Sequence, residues 1–336
     1  RAPVARMLQA RRTHIENVIR APLGDRNSLN FANAQAAMWG ATRPIVMLKI
    51  TADTISFDFP FSPNAESTFM PIANVEGGDI HFSRTGNGPP MTMLLPQSSG
   101  PVGVTPFLDC LRQQFSVIRY DQRGTGKSAP VPSPEAMSMT GRAKEVHGLL
   151  DALDIDRSWL CCHSTGCGIG FAAAAAQSER IIGLVFVSPW SFGDAHLTTM
   201  QNLRVAAARG LNPYCYAWFN ASLLFPPDYR REHHTGFEEM AQSARSTPQD
   251  ADAIEDRLQA ILAFDARPTA RSIECPTLIC ASEDDQLMPV WFARELAGLM
   301  PAAQLLSLQG GGHMLPETRG ETIAQAIIEF TAAHTD

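Results

Sequence analysis

The sequence predicts an α/β fold: a mostly parallel central sheet with helices on both faces and a helical cap inserted after the sixth strand. Three observations carry that expectation. From Met70 onward, short apolar runs alternate with segments of helical periodicity, the pattern of a parallel sheet whose crossovers are helices. The alternation stops between Ser188 and about Ser272, where amphipathic pieces follow one another without a strand. The residues able to do chemistry stand just past the ends of apolar runs, at the rim where ligands bind in such sheets.

In chain order, 70-MPIANVEGGDIHFSRTGNGPPMTMLLP-96 reads as a domain start: strand, glycine-rich turn, strand. Strands are expected at 80–83, 92–95, 116–120, 159–162, 182–187, 277–281 and 304–308, all short apolar runs. Helices are expected at 139–153, with Val146, Leu149, Leu150 and Leu153 on one face, and at 166–177, 290–299 and 321–333. The core is then 70–188 with 273–336, and the cap is 189–272. Residues 1–69 differ in character: eight Lys/Arg against five Asp/Glu, whereas the rest carries nineteen against twenty-nine. They hold a helical pattern at 5–19, a strand-like run at 45–50 and no chemical motif. They read as an appendage, or as an extension upstream of a natural start at Met70; the competing view is an accessory or dimerising arm.

Bulk properties exclude several functions. A net charge of −7 argues against a nucleic-acid partner, which needs a basic face. No apolar run approaches the roughly 18 residues of a membrane helix, and no secretory signal is seen. Seven cysteines fit no zinc or CxxC spacing, and Cys161, Cys162 and Cys280 fall inside strand-like runs as small hydrophobes. A reducing cytoplasm is the simplest setting. The expected partners are a small-molecule substrate and, optionally, a second copy of the chain; no metal or cofactor is called for.

The chemistry begins at 158-SWLCCHSTGCGIG-170. An apolar run breaks off at His163-Ser164-Thr165-Gly166 and small residues follow, so Ser164 leaves a strand and enters a helix. That is the form of a nucleophile elbow, small-x-Ser-x-Gly, with Cys162 at the first small position. Such a turn exposes the serine hydroxyl and offers the Thr165 amide as an oxyanion donor. The bland reading is an ordinary helix start with Ser164 as N-cap. A base and an acid decide between them, in the order Ser, Asp/Glu, His. Downstream, 276-PTLICASEDDQLMP-289 runs from a strand into two carboxylates, and 304-QLLSLQGGGHMLPE-317 runs from a strand through a glycine turn to His313. His313 is the expected base and Asp285 the expected acid. Asp284 is read as a solvated neighbour or cap, and Asp194 as a weaker rival acid.

With these motifs, and with 115-FSVIRYDQRGTGKS-128, the sequence resembles the α/β-hydrolase superfamily over residues 72–334. In the cap, 189-PWSFGDAHL, 223-LLFPPDY-229 and 257-RLQAILAFDARPTARSIECPTL-278 resemble the subgroup of 3-oxoadipate enol-lactonases and aminoacrylate hydrolases of pyrimidine breakdown. The resemblance implies a small ester, lactone or amide-like substrate hydrolysed without a cofactor. Two departures stand out. Where the family has His-Gly after its second strand this chain reads 93-MLLPQSSG-100, so the second oxyanion donor falls to the Ser98 amide or the Gln97 side chain. Aminoacrylate-type members often lack the elbow serine, so its presence favours acyl-enzyme chemistry.

Two lookalikes are set aside. The string 124-GTGKS-128 lacks the phosphate-loop glycine, Asp121 standing in its place, and Gly166-x-Gly168-x-Gly170 lacks dinucleotide spacing. His233-His234 point about 100° apart on a helix and do not make a metal pair. Candidate pocket residues are Gln97, His163, Trp190, Trp218 and Met314, with Leu197, Met200, Phe219 and Leu224 as further cap candidates, about half of these cap residues being plain core. The function expected is a serine hydrolase of a small, largely apolar carboxylic ester or lactone. The alternatives are a C–C or C–N bond hydrolase of ring degradation, or a slow-turnover ligand receptor.

Overall fold

The computed structural model describes residues 71–94 and 100–334. The expectations for residues 1–69, Gln97 and Ser98 lie outside the described residues. In chain order the elements are β1 (Ile72–Val75), β2 (Gly78–Thr85), β3 (Pro90–Leu94), α1 (Thr105–Leu111), β4 (Ser116–Tyr120), α2 (Met139–Ala152), β5 (Ser158–His163), α3 (Thr165–Ala176) and β6 (Ile181–Val187). Six helices follow without a strand: α4 (Ala195–Gly210), α5 (Pro213–Leu224), α6 (Pro227–Glu232), α7 (His234–Ala244), α8 (Ala251–Leu262) and α9 (Arg267–Ala270). The chain then returns through β7 (Thr277–Ser282), α10 (Val290–Leu299), β8 (Ala303–Leu308), α11 (Leu315–Thr318) and α12 (Gly320–Ala332).

The eight strands form one sheet in the order β1-β2-β4-β3-β5-β6-β7-β8. β1 and β2 pair antiparallel, as do β2 and β4, and all later neighbours are parallel. Buried strands in parallel sheets are apolar on both faces, and β5 and β7 are buried along their whole length. Their side chains alternate strictly between two cores. Trp159, Cys161, Val185, Val187, Leu278 and Cys280 face α1 and α12, whereas Leu160, Cys162, Leu184, Phe186, Ile279 and Ala281 face the opposite core. Buried Cys161, Cys162, Cys167 and Cys280 are free thiols whose pKa values burial pushes up, so they pack as small neutral side chains.

Polar residues at the helix starts set the helical insertion. Asp194 accepts from the Leu197 amide at 2.7 Å and opens α4. Asn212 accepts from Cys215 at 2.9 Å ahead of Pro213, and Asp250 accepts from Ala253 at 3.0 Å. Asp194 is thus a helix cap rather than the acid of a relay. Between Asp121 and Ser128 the turn folds on itself. The Asp121 carboxylate accepts from the Lys127 amide at 2.9 Å, and the Ser128 hydroxyl donates to the Asp121 carbonyl at 2.6 Å. An anion of the chain itself fills this nest, so the glycines there serve a structural loop. His233 stands at the junction of α6 and α7 rather than on one helix with His234; it stacks on Tyr229, while His234 opens α7 and lies against Trp218.

Candidate active site

Parallel strands end on one rim, and three of those ends carry the predicted groups. Ser164 follows β5 directly, Asp285 stands three residues past β7, and His313 five residues past β8. The Ser164 backbone has φ 54°, ψ −122°, a conformation that L residues avoid and that nucleophile elbows use. Ser164 occupies the N-cap position of α3, yet its side chain caps nothing. Its hydroxyl lies 2.8 Å from His313 Nε2 instead. The elbow is made possible by close packing: a Cβ on Gly166 would come within 1.9 Å of the Leu94 carbonyl oxygen. Cys162, at the position where the elbow pattern has a small residue, fits because Gly170 faces its sulfur, with room for no methyl group.

His313 Nδ1 lies 2.8 Å from Asp285 Oδ2, and both side chains are buried. A carboxylate only accepts, so Nδ1 carries the proton and Nε2 is free to accept from Ser164. The other Asp285 oxygen, Oδ1, accepts from the Leu287 and Met288 amides, each at 2.9 Å. The carboxylate is therefore fixed in orientation from its own loop. Asp284 is exposed, as predicted for a solvated neighbour, but it also reaches across: its Oδ1 accepts from the Gly312 amide at 2.8 Å. Gly312 itself has φ 64° and abuts Pro226 and the Leu224 carbonyl, a site for glycine alone. That Leu224 carbonyl, at the end of α5, accepts from the His313 amide at 3.0 Å.

Several groups that support the site were not foreseen. The His313 carbonyl accepts from His163 Nε2 at 2.8 Å and from the Ser188 hydroxyl at 3.0 Å. Ser188 has φ 50° just past β6, a strain that turns it toward this carbonyl. Glu317, four residues beyond His313, accepts from the Gly100 amide, from Val102 at 3.0 Å and from the Tyr229 hydroxyl at 3.1 Å. It thereby ties the chain just after residue 99 to the histidine turn. The string HMLPE carried this signal, since a carboxylate one turn beyond His313 shares its side of the sheet.

The relay opens on a cavity of about 610 Å³ whose lining includes Ser164, Thr165, His313 and Met314. Its walls are mostly apolar, among them Met139, Leu224, Phe237, Ile254, Leu258 and Ile261. Of the candidate pocket residues Met314 and Leu224 line it, whereas His163, Trp190, Leu197, Met200, Trp218 and Phe219 do not. Trp190 is fully buried between Gly168 and Phe264, because the missing side chain at 168 admits its ring into the core. Trp218 turns its indole toward Glu238 and packs on Phe237. His163 lies beneath His313, their ring centroids 5.2 Å apart.

Burial, and then the neighbouring His313, hold the His163 imidazole down to about 3, although its bond to the His313 carbonyl opposes this. In the unfolded chain a histidine titrates near 6.5. Between those values the unfolded state binds a proton that the folded state does not. Stability therefore falls as pH drops below about 6.5, by about 1.4 kcal/mol per pH unit from this residue. Urea denaturation at pH 7 and pH 5 is expected to show the native chain losing about 2 kcal/mol more than His163→Gln, which keeps a donor for the carbonyl. Equal losses would mean that His163 is not held neutral.

Comparison with known proteins agrees with this architecture. A sequence profile described as "Alpha/beta hydrolase family" matches residues 99–326. The "Putative carbamate hydrolase RutD" of Caulobacter sp. (strain K31) is 31% identical over 243 residues, covering 71% of this chain and 90% of that protein. Among solved structures, the enol-lactonase from Burkholderia xenovorans LB400 superposes with a TM-score of 0.67 at 24% identity, over 78% of this chain and 100% of that one. A thermophilic esterase from Thermogutta terrifontis gives 0.67 at 21% identity, over 79% and 99%. At those identities the structural likeness is one of fold. With the profile spanning more than half of its length, this chain belongs to the alpha/beta hydrolase family.

Proposed function

We propose that the chain is a serine hydrolase that cleaves a small, largely apolar carboxylic ester or lactone through an acyl-enzyme. The observation that carries this reading is the unbroken relay of 2.8 Å hydrogen bonds from Ser164 through His313 to Asp285, facing an apolar cavity. Ser164 Oγ attacks the carbonyl carbon as His313 Nε2 takes its proton, and Asp285 stabilises the imidazolium that results. The Thr165 amide receives the oxyanion, and the second donor expected from the sequence is the Ser98 amide or the Gln97 side chain. Collapse breaks the ester C–O bond, and the His313 proton goes to the leaving oxygen. Water, deprotonated by His313, then attacks the acyl carbon; collapse releases the acid and returns the proton to Ser164.

A second reading, hydrolysis of a C–N bond with the same three groups, is favoured by the relative named for carbamate hydrolysis. A fluorophosphonate probe and a panel of p-nitrophenyl esters from acetate to decanoate separate the two. Labelling that vanishes in Ser164→Ala, with rapid turnover of short esters, is the result expected. Labelling without ester turnover points to the C–N reading, and no labelling overturns both.

A further inference from the structure

One enclosed arginine of the cavity has no counter-charge. Arg204, on α4, lines the same cavity as Ser164 and His313. Its guanidinium donates to Gln201 Oε1 at 3.0 Å, while its Nε is enclosed and has no hydrogen-bond partner in the chain. Among the described residues no carboxylate lies within ion-pair distance of it, and the groups that act on it electrostatically are Tyr216 and Arg257. Burial pulls its pKa below the ordinary arginine value, and an arginine so placed still keeps its proton. Gln201 beside it is buried, and its Nε2 likewise has no partner in the chain.

The rest of the cavity sharpens the contrast. Arg142, Arg204 and Arg257 are the charged residues of its lining, which holds no Asp or Glu among the described residues. Arg142 is already neutralised by Glu145 at 3.3 Å. Arg257 is exposed, where solvent screens it. One desolvated positive charge remains in a chain whose net charge is −7. A guanidinium held out of water without a counter-charge is costly unless an anion joins it. A planar carboxylate fits this need: it carries one charge, and its two oxygens can accept from the guanidinium.

We propose that Arg204 binds a carboxylate on the substrate, so that the chain selects esters or lactones whose acyl portion ends in a carboxylate several methylenes from the scissile carbonyl. Apolar residues of α8, Ile254, Leu258 and Ile261, line the same cavity and suit the intervening methylenes. The proposal rests on the hydrolase reading and names its substrate class. Arg204 is a specificity residue here, remote from the bond that breaks.

The test compares matched pairs of p-nitrophenyl esters: the monoesters of succinate, glutarate, adipate and pimelate against butyrate, valerate, hexanoate and heptanoate. At the best chain length, kcat/KM is expected to favour the carboxylate-bearing ester. In Arg204→Met that ratio is expected to fall roughly 30-fold or more, the scale for removing one partner of a buried charge pair, with most of the change in KM. Arg204→Lys, which keeps the charge and loses the fork, is expected to fall between. No preference at any length, or a ratio that survives in Arg204→Met, overturns the proposal. Calorimetry of the free dicarboxylates on Ser164→Ala reads the site without chemistry. Binding there that disappears in the Ser164→Ala, Arg204→Met double variant supports the carboxylate site even if no ester is turned over. Absence of binding overturns the site while leaving the hydrolase reading to the labelling experiment.

Discussion

Replacing Ser164 by alanine is expected to lower kcat on the best p-nitrophenyl ester roughly 10⁴- to 10⁶-fold, and His313→Ala to do the same. That is about 5–8 kcal/mol of lost transition-state stabilisation, at about 1.4 kcal/mol per factor of ten. The loss is large because the hydroxyl reacts only when a base 2.8 Å away takes its proton. Either deletion removes both halves of that step. The double variant is therefore expected to be no slower than the worse single variant, since groups acting as a unit do not add. KM should move little in Ser164→Ala, because the cavity walls are untouched. The fold should also survive: Ala keeps the Cβ, the backbone stays at φ 54°, and the turn is held by Gly166 against Leu94. Retention of more than about one hundredth of the native rate would sink the assignment of Ser164, because water and the remaining donors cannot supply it.

The sheet was legible because burial on two faces leaves a plain mark. A strand such as β5 must be apolar throughout, and a helix such as α10 must repeat its apolar side chains every three to four residues. The relay was legible for a related reason. Parallel strands deliver whatever follows them to one rim, so order along the chain stands in for proximity. The pocket was much less so. Trp190 and Trp218 were plausible lining residues by type, yet a glycine at 168 draws one into the core and Glu238 holds the other. Neither effect has a local signature, because each depends on a residue whose spatial neighbourhood the sequence does not state. Arg204 left a fainter trace. Leu197, Gln201, Val205 and Ala208 form the buried stripe of α4, so a glutamine on it and an arginine at its edge break the apolar pattern. Polar groups on an inward stripe mark either a hydrogen-bonded network or a ligand.

Asparagine at position 285 is expected to cost roughly 10³- to 10⁴-fold in kcat, while asparagine at 284 changes it by less than about threefold. The difference follows from what each carboxylate accepts. At 285 one oxygen takes the Leu287 and Met288 amides, so an asparagine must keep its own oxygen there. Its NH₂ group then faces His313 Nδ1, which has to become the acceptor. The ring proton moves to Nε2, and Nε2 can no longer take the proton of Ser164. Geometry would be preserved and the tautomer would be wrong. At 284 the oxygen that matters accepts from the Gly312 amide and the Ser282 hydroxyl, and an asparagine oxygen can do the same with its NH₂ group in solvent. Only Asp284→Ala removes the acceptor. That change is expected to lower stability by about 1 kcal/mol through the unpaired Gly312 amide, with kcat reduced less than about tenfold as the histidine turn loosens. Melting curves and kcat for the three variants, taken on the same ester, decide the ranking. A larger loss from Asp284→Asn than from Asp285→Asn would mean that the acid of the relay has been misassigned, whatever the distances between the side chains.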